Sequence, residues 1–372
     1  MKSINVAIVG AGQGRNHGKV FSELIDETEV VVVCDLDEGR ARESAELVGA
    51  SRATTRYDDV LGDPDIDIVA IAIGCHLHGP AVIAALEAGK HVLVEVPAVA
   101  TILDDVWRMV HAAERGRLKL QMGNHERWTP QKRKMKEMIA GGEIGEIITA
   151  DGDYTHDGFR GRSDGRPNYM RFDLESNRPA DESPHWRLGF GNPAQETMAG
   201  GGGLHAVDSL RWLMGEEFCE VVCYGNRKVA PYRSADDMQT ALFKTPSGAV
   251  GRVMAFYSVC RKESRHNSVY GTDGSLEFRW HDDRLWCTKD NHSPMAELEV
   301  PGLPLPEEVK RKVGHGGMTY FQDRDFVDAI LEDRQPEINV YEAARSCAAA
   351  ICSRQSAAEG RPVKIPSFYQ KM

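Results

Sequence analysis

Two rhythms of apolar and polar positions divide this chain. From Ile4 to about Gly123, short and nearly unbroken apolar runs alternate with segments whose apolar residues recur every three to four positions. Ile4, Val6, Ala7, Ile8 and Val9 make the first run, the pattern of a strand covered on both faces. A helical pattern follows through Val20, Phe21, Leu24 and Ile25, and then a β-branched run from Val30 to Val33. Further helices are predicted over Glu38–Val48, His78–Ala88 and Leu103–Arg115, the second of them closed by Gly89. Further strands are predicted over Ile66–Ile73, His91–Val94 and Leu118–Met122. Repeated strand–helix units imply a doubly wound parallel sheet with helices on both faces, whose ligands collect at the carboxyl ends of the strands.

Beyond Ile144 the period changes to two. Strands are predicted over Ile144–Thr155, Val221–Tyr224, Thr240–Lys244, Val250–Tyr257, Ser268–Tyr270, Leu276–Trp280 and Leu285–Thr288, with Asp273-Gly274 marking a hairpin. Tyr320–Leu331 and Glu342–Arg354 read as closing helices. The fold class is therefore α/β. At 372 residues the chain exceeds what one core usually supports, so two domains are expected, residues 1–124 and 125–372.

Composition narrows the partners. The net charge of −11 argues against nucleic acid, because phosphate binding needs a basic face. The basic run Gln131 to Lys136 reads as the solvated face of a helix. No apolar run approaches a membrane span, and the first strand begins almost at Met1, which leaves no room for a signal peptide. The eight cysteines are scattered without a CxxC pair, so no metal site is expected and a cytoplasmic protein with reduced cysteines is.

The junction of the first strand and helix carries the first chemistry. Gly10-Ala11-Gly12-Gln13-Gly14-Arg15 matches the first two glycines of the dinucleotide fingerprint, but the third position falls on Arg15, with Gly14 one residue early. Such glycines let the backbone approach a pyrophosphate seated on a helix N-terminus. Asp35 closes the second strand, where a carboxylate accepts hydrogen bonds from the adenosine ribose and repels a 2′-phosphate, so NAD is expected over NADP. Arg40 and Arg42 lie close enough in sequence to weaken that preference. The competing reading is an ordinary strand-to-helix turn. Cofactor contacts are expected from Gly10, Gly12, Gln13, Gly14, Arg15 and Asp35, and from the strand ends at Gly74, Cys75, Glu95 and Asn124.

Ala70-Ile71-Ala72-Ile73 with His78, and Ala88-Gly89-Lys90-His91-Val92-Leu93-Val94-Glu95 with Pro97, resemble the glucose–fructose oxidoreductase and inositol dehydrogenase family (Gfo/Idh/MocA). The likeness continues through His125 to Pro130, Trp186-Arg187, and His205-Ala206-Val207-Asp208 with Trp212-Leu213, and so covers nearly the whole chain. It implies an N-terminal Rossmann domain and a C-terminal α/β domain with an open, mainly antiparallel sheet that often joins subunits, hence a homodimer or homotetramer. It also implies a nicotinamide cofactor approached by His78, Trp186 and Arg187, and a sugar or cyclitol substrate.

Two departures matter. Glu95-Val96-Pro97 stands where most dehydrogenases of the family read Glu-Lys-Pro, and Gly201 stands four residues before His205, where they carry aspartate. Valine neither donates a hydrogen bond nor carries charge. Three readings follow: a dehydrogenase using other groups, a binding protein that keeps NAD without chemistry, or a relative of the Glu-Val-Pro-Ala minority. That minority includes enzymes similar to the NAD-dependent α-N-acetylgalactosaminidases, which oxidise a sugar transiently, eliminate the glycosidic bond and return the hydride. Gly152 to Asp157 also resembles that group.

In the second half, Tyr154 and His156 project from one face of the predicted strand and could relay a proton, although a polar surface strand would look the same. The polar loop from Gly158 to Pro184 carries Arg160, Arg162, Arg166, Arg171 and Arg178, either a substrate rim or a solvated one. Four glycines from Gly200 let backbone pass close to something. A helix then begins near Leu204, on which His205, Asp208 and Trp212 share a face. A histidine in the first turn meets the positive end of the helix dipole, which disfavours its charged form and suits a general base. A packing histidine is the plainer alternative. The expected catalytic group is His205 with Tyr154, His156 and Asp208.

Overall fold

The computed structural model describes residues 3–96, 100–155, 197–228, 236–256, 263–290 and 292–369. It divides into two compact units, Met1–Trp128 with Leu303–Ala344 and Tyr369–Met372, and Thr129–Gly302 with Arg345–Phe368.

The first unit is built on strands β1 (Ile4–Val9), β2 (Thr28–Cys34), β3 (Arg52–Thr54), β4 (Ile68–Ile71), β5 (His91–Glu95) and β6 (Leu120–Gly123). They form one six-stranded parallel sheet in the order β3-β2-β1-β4-β5-β6. The order reverses between β1 and β4, which opens a crevice at their carboxyl ends. Helices α1 (Gly14–Glu23), α2 (Glu38–Val48), α3 (Tyr57–Leu61), α4 (His78–Glu87) and α5 (Leu103–Gly116) connect the strands. Every residue of β4 is buried, as the unbroken apolar run requires. Asp37 caps α2 by accepting the Arg40 N–H at 2.9 Å, and Gly49 ends it in the left-handed conformation.

The third glycine of the fingerprint is resolved by packing. Gly14, not Arg15, takes the close-contact role: a Cβ there would lie 2.7 Å from Cγ2 of Ile8 on β1. One turn later a Cβ on Gly18 would lie 2.7 Å from Val48. The helix Met318–Leu331 joins this unit from the far end of the sequence. Its Phe326 and Val327 share one core with Val20 and Phe21 of α1 and with Ile8.

The second unit holds a nine-stranded sheet. Its strands are β7 (Ile147–Thr155), β8 (Glu220–Asn226), β9 (Met238–Lys244), β10 (Val250–Phe256), β11 (Asn267–Gly271), β12 (Ser275–Arg279), β13 (Arg284–Thr288), β14 (Ala296–Leu298) and β15 (Val363–Lys364). The order is β14-β13-β12-β11-β7-β10-β9-β8-β15, antiparallel except for the β7–β10 pair. The hairpin at Asp273-Gly274 joins β11 to β12 as its turn residues require. Helix α6 (Pro130–Ala140) and helix α7 (Gly203–Met214) belong to this unit.

The basic run on α6 is not a solvated face. Lys132 is buried and donates to Ser209 Oγ at 3.2 Å, and Lys136 donates to the Trp212 carbonyl at 2.5 Å, near the negative end of α7. Arg133 and Lys136 also lie 5.6 and 5.9 Å from the centre of the Trp212 ring. A cation that can reach orphan helix carbonyls gains more there than in water.

Substituting Gly14→Ala is expected to cost about 1–3 kcal/mol of unfolding free energy by overpacking the α1–β1 contact. Ile8→Ala, which removes the Cγ2 methyl that a Cβ at position 14 would meet, should cost less in that background than in wild type, which denaturant melts arranged as a double-mutant cycle would register as coupling between the sites.

Candidate functional site

In the first unit the site grows out of the turn after β1. Gly10 sits at φ +98°, and a Cβ there would collide with the Ala72 carbonyl that follows β4. Its N–H donates to the Cys34 carbonyl at 2.8 Å. Next along, the Ala11 N–H donates to Asp35 Oδ2 at 2.8 Å. The turn is thus tied to the ends of both neighbouring strands. Gly12 and Gln13 are exposed at the start of α1. No side chain caps that helix, and its first turn holds no acidic residue. The Arg15 and Asn16 amides turn back to the Gly12 and Gln13 carbonyls at 3.3 and 2.9 Å, so what the terminus offers an external anion such as a pyrophosphate is the exposed Gly12-Gln13 backbone ahead of them and the helix dipole.

Asp35 is positioned for a ribose. Oδ1 accepts from the Asp37 N–H at 2.9 Å and from Arg40 Nη2 at 2.8 Å, and with Ala11 on Oδ2 a lone pair of that oxygen remains. Arg42 instead pairs with Glu38 on the α2 surface, so Arg40 alone bears on the choice between NAD and NADP. Arg15 donates to Ser44 Oγ at 2.8 Å and pairs with Glu43, which fastens α1 to α2.

Two apolar residues escaped the sequence reading. Leu36 and Leu77 are 90% and 45% exposed, and they follow Asp35 and β4 on either side of β1. Bare leucines at that edge suit the faces of an adenine. In the sequence, Leu36 stands directly after Asp35 as an apolar residue at the end of a strand.

Other residues expected at the cofactor are buried. His78 is fully buried and its Nε2 lies 3.0 Å from the Ile73 carbonyl at the β4–α4 turn. Asn124 is likewise fully buried, accepting the Glu126 N–H at 3.3 Å in the turn after β6. Gly74 and Cys75 are buried in the β4–α4 connection and shape it.

Glu95 ends β5 and belongs to a network that sequence spacing could not reveal. His17 of α1 places Nδ1 3.0 and 2.9 Å from the two Asp323 oxygens and Nε2 3.7 Å from Glu95 Oε1. The other Glu95 oxygen accepts the Val96 N–H at 2.8 Å. Burial alone would lower the His17 pKa, but Asp323 and Glu95 outweigh it and hold the ring up at about 10. Burial would raise Glu95, yet the hydrogen bond and charge of His17, then His315 and the Val96 amide, bring its carboxyl below the usual range.

In the second unit Tyr154, at the end of β7, stacks on His205 with ring centres 5.5 Å apart and planes 9° from parallel. Both are almost buried, 8% and 7% exposed. The glycine run explains itself here: a Cβ on Gly202 would collide with the Tyr154 ring, and one on Gly203 would lie 2.7 Å from the Thr197 carbonyl. His205 is the third residue of α7. The Arg265 guanidinium stands 5.1 Å from the Tyr154 ring centre and 5.0 Å from that of Trp280. Asp153 turns the other way, accepting Ser264 Oγ at 2.9 Å and the His266 N–H at 2.7 Å.

Asp208 shares the helix face with His205, is fully buried, accepts the Ser346 hydroxyl at 2.7 Å and faces Arg211 at 3.7 Å. A carboxylate engaged this way holds the helix in place. His156, Trp186, Arg187 and the loop arginines lie outside the described residues. Among the described residues no cluster of His, Cys, Asp or Glu could hold a metal, and no helix is long and apolar enough to cross a membrane.

Comparison with known proteins decides the family. The family model described as "Oxidoreductase family, NAD-binding Rossmann fold" matches residues 4–124, and its C-terminal alpha/beta companion matches residues 136–365. The chain belongs to the Gfo/Idh/MocA oxidoreductase family. NAD is the cofactor of that Rossmann domain, and the uncapped α1 terminus and Asp35 fit it. Inositol 2-dehydrogenase 3 of Saccharopolyspora erythraea is 30% identical, over 86% of this chain and 81% of its own. A glycosyl hydrolase family 109 protein of Shewanella pealeana is 26% identical, over 99% of this chain and 86% of its own. Levoglucosan dehydrogenase solved with NADH shares the fold, with a TM-score of 0.80, 22% identity, and coverage of 99% of this chain and all of that one.

Asp35→Ser is expected to weaken NAD binding about 10- to 100-fold, the loss of charged hydrogen bonds, and to strengthen NADP binding by releasing Arg40. Calorimetric titration with both cofactors checks it. Because folding lifts His17 from 6.5 to about 10, the stability it supplies is complete below pH 6.5 and disappears as pH climbs towards 10. Asp323→Asn should flatten that alkaline decline in urea melts.

Proposed function

We propose that the chain is an NAD-dependent oxidoreductase acting on a hydroxyl of a sugar, sugar derivative or cyclitol, with His205 and Tyr154 handling the hydroxyl proton. The stacked Tyr154–His205 pair carries this reading. Bound NAD supplies the hydride acceptor. His205 sits in the first turn of α7, and an imidazole there can serve as the group that takes the proton. The parallel ring planes fix phenol and imidazole side by side, and the Gly202 backbone against the ring holds Tyr154 in place. In the first unit Gly10, Gly12, Gln13, Gly14 and Asp35 hold the dinucleotide, with Glu95 at the β5 end. The inositol and levoglucosan dehydrogenases among its relatives support a polyhydroxylated substrate.

A second reading has its own support. Val96 removes the lysine expected at that strand end, and the family 109 glycosyl hydrolase aligns over nearly the whole chain. In that reading a ketone on the substrate acidifies the neighbouring C–H, and His205 or Tyr154 removes that proton as the adjacent glycosidic oxygen leaves.

Purified protein incubated with excess NAD and a panel of polyols and glycosides separates the two readings. Net oxidation accumulates NADH, whereas redox-neutral cleavage releases sugar without it. In either case His205→Ala should lower kcat by about 10²- to 10⁴-fold and Tyr154→Phe by about tenfold or more. NAD affinity should stay within about twofold, because neither residue belongs to the dinucleotide cradle. A panel giving neither product, or a His205→Ala chain with unchanged turnover, refutes the proposal.

A further inference from the structure

The buried trio of His17, Glu95 and Asp323 has no role in the proton transfer proposed above, yet it gathers charge at one end of the first unit's sheet. We infer that this trio makes the dinucleotide site discriminate between oxidised and reduced cofactor, with Glu95 as the charged group and His17 as a positioning residue that keeps it ionised. The inference concerns cofactor binding alone and stands apart from the identity of the substrate.

The topology locates the charge. Asp35 ends β2, on the half of the sheet that takes the adenosine ribose, and the crevice lies where the order reverses between β1 and β4. Glu95 ends β5, on the other half, so its carboxylate stands on the side left for the nicotinamide nucleotide. Glu95 is nine-tenths buried, and its two oxygens are held by the Val96 amide and by His17. Gly123 on neighbouring β6 leaves it room, since a Cβ there would lie 3.1 Å from Glu95 Oε2.

Charge counting gives the sign. His17 chelates both oxygens of Asp323, and the pair keeps one proton between them wherever that proton sits. The pair is neutral, so the trio carries one net negative charge, and it belongs to Glu95. Gln322 donates to Asp323 at 3.2 Å, and His315, stacked on His125 with ring centres 3.7 Å apart, is the other titratable group facing Glu95. An oxidised nicotinamide ring is a cation and a reduced one is neutral. A buried negative charge within roughly 10 Å therefore favours the oxidised form, by about 3- to 30-fold at the effective dielectric of such sites.

The test measures dissociation constants for NAD and NADH at pH 8, where an ordinary histidine is uncharged. In Glu95→Gln the ratio of NADH to NAD dissociation constants should fall about tenfold from wild type, and in Glu95→Asp it should move less than threefold. The double variant His17→Asn, Asp323→Asn removes the neutral pair together and leaves Glu95 ionisable but without the hydrogen bond and charge that lower its pKa. Its ratio should fall towards that of Glu95→Gln as the pH falls, a pH dependence that a packing role would not produce. If Glu95→Gln does not fold, the profile of the double variant alone carries the test. A ratio unchanged in both variants, or equal losses of both cofactors with no pH dependence, overturns the inference.

Discussion

The turn after β1 is where three strand ends are joined, and the described geometry of the first unit follows from it. Gly10 adopts a conformation that a side chain would make costly, and its N–H reaches the end of β2 while its α-carbon presses against the backbone after β4. The next amide fixes Asp35. With those contacts set, α1 starts at Gly14 without a side-chain cap, and Gly14 and Gly18 let it lie close on β1 and α2. Glycine at these places costs chain entropy, and burial of the surrounding apolar run offsets it.

Both units solve the problem of orientation with buried charge. Paired ions inside a protein contribute little net stability, because desolvation consumes most of their attraction, but removing one partner is expensive. That asymmetry makes them good at excluding wrong arrangements. In the first unit His17 fixes α1 to β5 and to the helix Met318–Leu331. In the second, Arg211 reaches Ser346 at 3.1 Å and Glu217 at 2.8 Å, while Asp208 takes the other side of Ser346. Lys132 adds a hydrogen bond from α6. Between them these groups leave α7 one orientation, and His205 follows.

Most of the strands were legible because local pattern determines them, while their order in each sheet came only with the fold. Strands buried on both faces, such as β4 and β5, cannot be mistaken for loops, and Asp35 lies at the spacing a ribose demands. Polar three-residue β3 carries no such pattern and went unseen. The sequence also showed a helix over Tyr320–Leu331 without showing that Phe326 packs with Phe21 and Asp323 pairs with His17, some three hundred residues away. Such pairs leave no periodic trace. Charge composition misled on α6 for the same reason: Lys132 and Lys136 look solvated until the carbonyls and hydroxyl of α7 come into reach. At the candidate site, Tyr154 and His205 were legible singly, while their stacking on Gly202 required the fold.

The departures from the family motif take on a physical sense once the two sets of groups are compared. A lysine at position 96 would add a cation one residue along the chain from Glu95 at the strand end. Valine leaves Glu95 with His17 as its cationic neighbour, and His17 is already committed to Asp323. Gly201 likewise removes a carboxylate from the glycine run, where an anion would oppose proton release from a phenol. In place of the missing pair, the second unit sets the Arg265 guanidinium over the ring of Tyr154 and the His205 imidazole beside it. A cation over an aromatic face draws on the ring's electron density and stabilises a phenolate more than a phenol. Each unit keeps its own buried polar cluster: Glu95 with His17 and Asp323 in the first, and Tyr154 with His205 and Arg265 in the second.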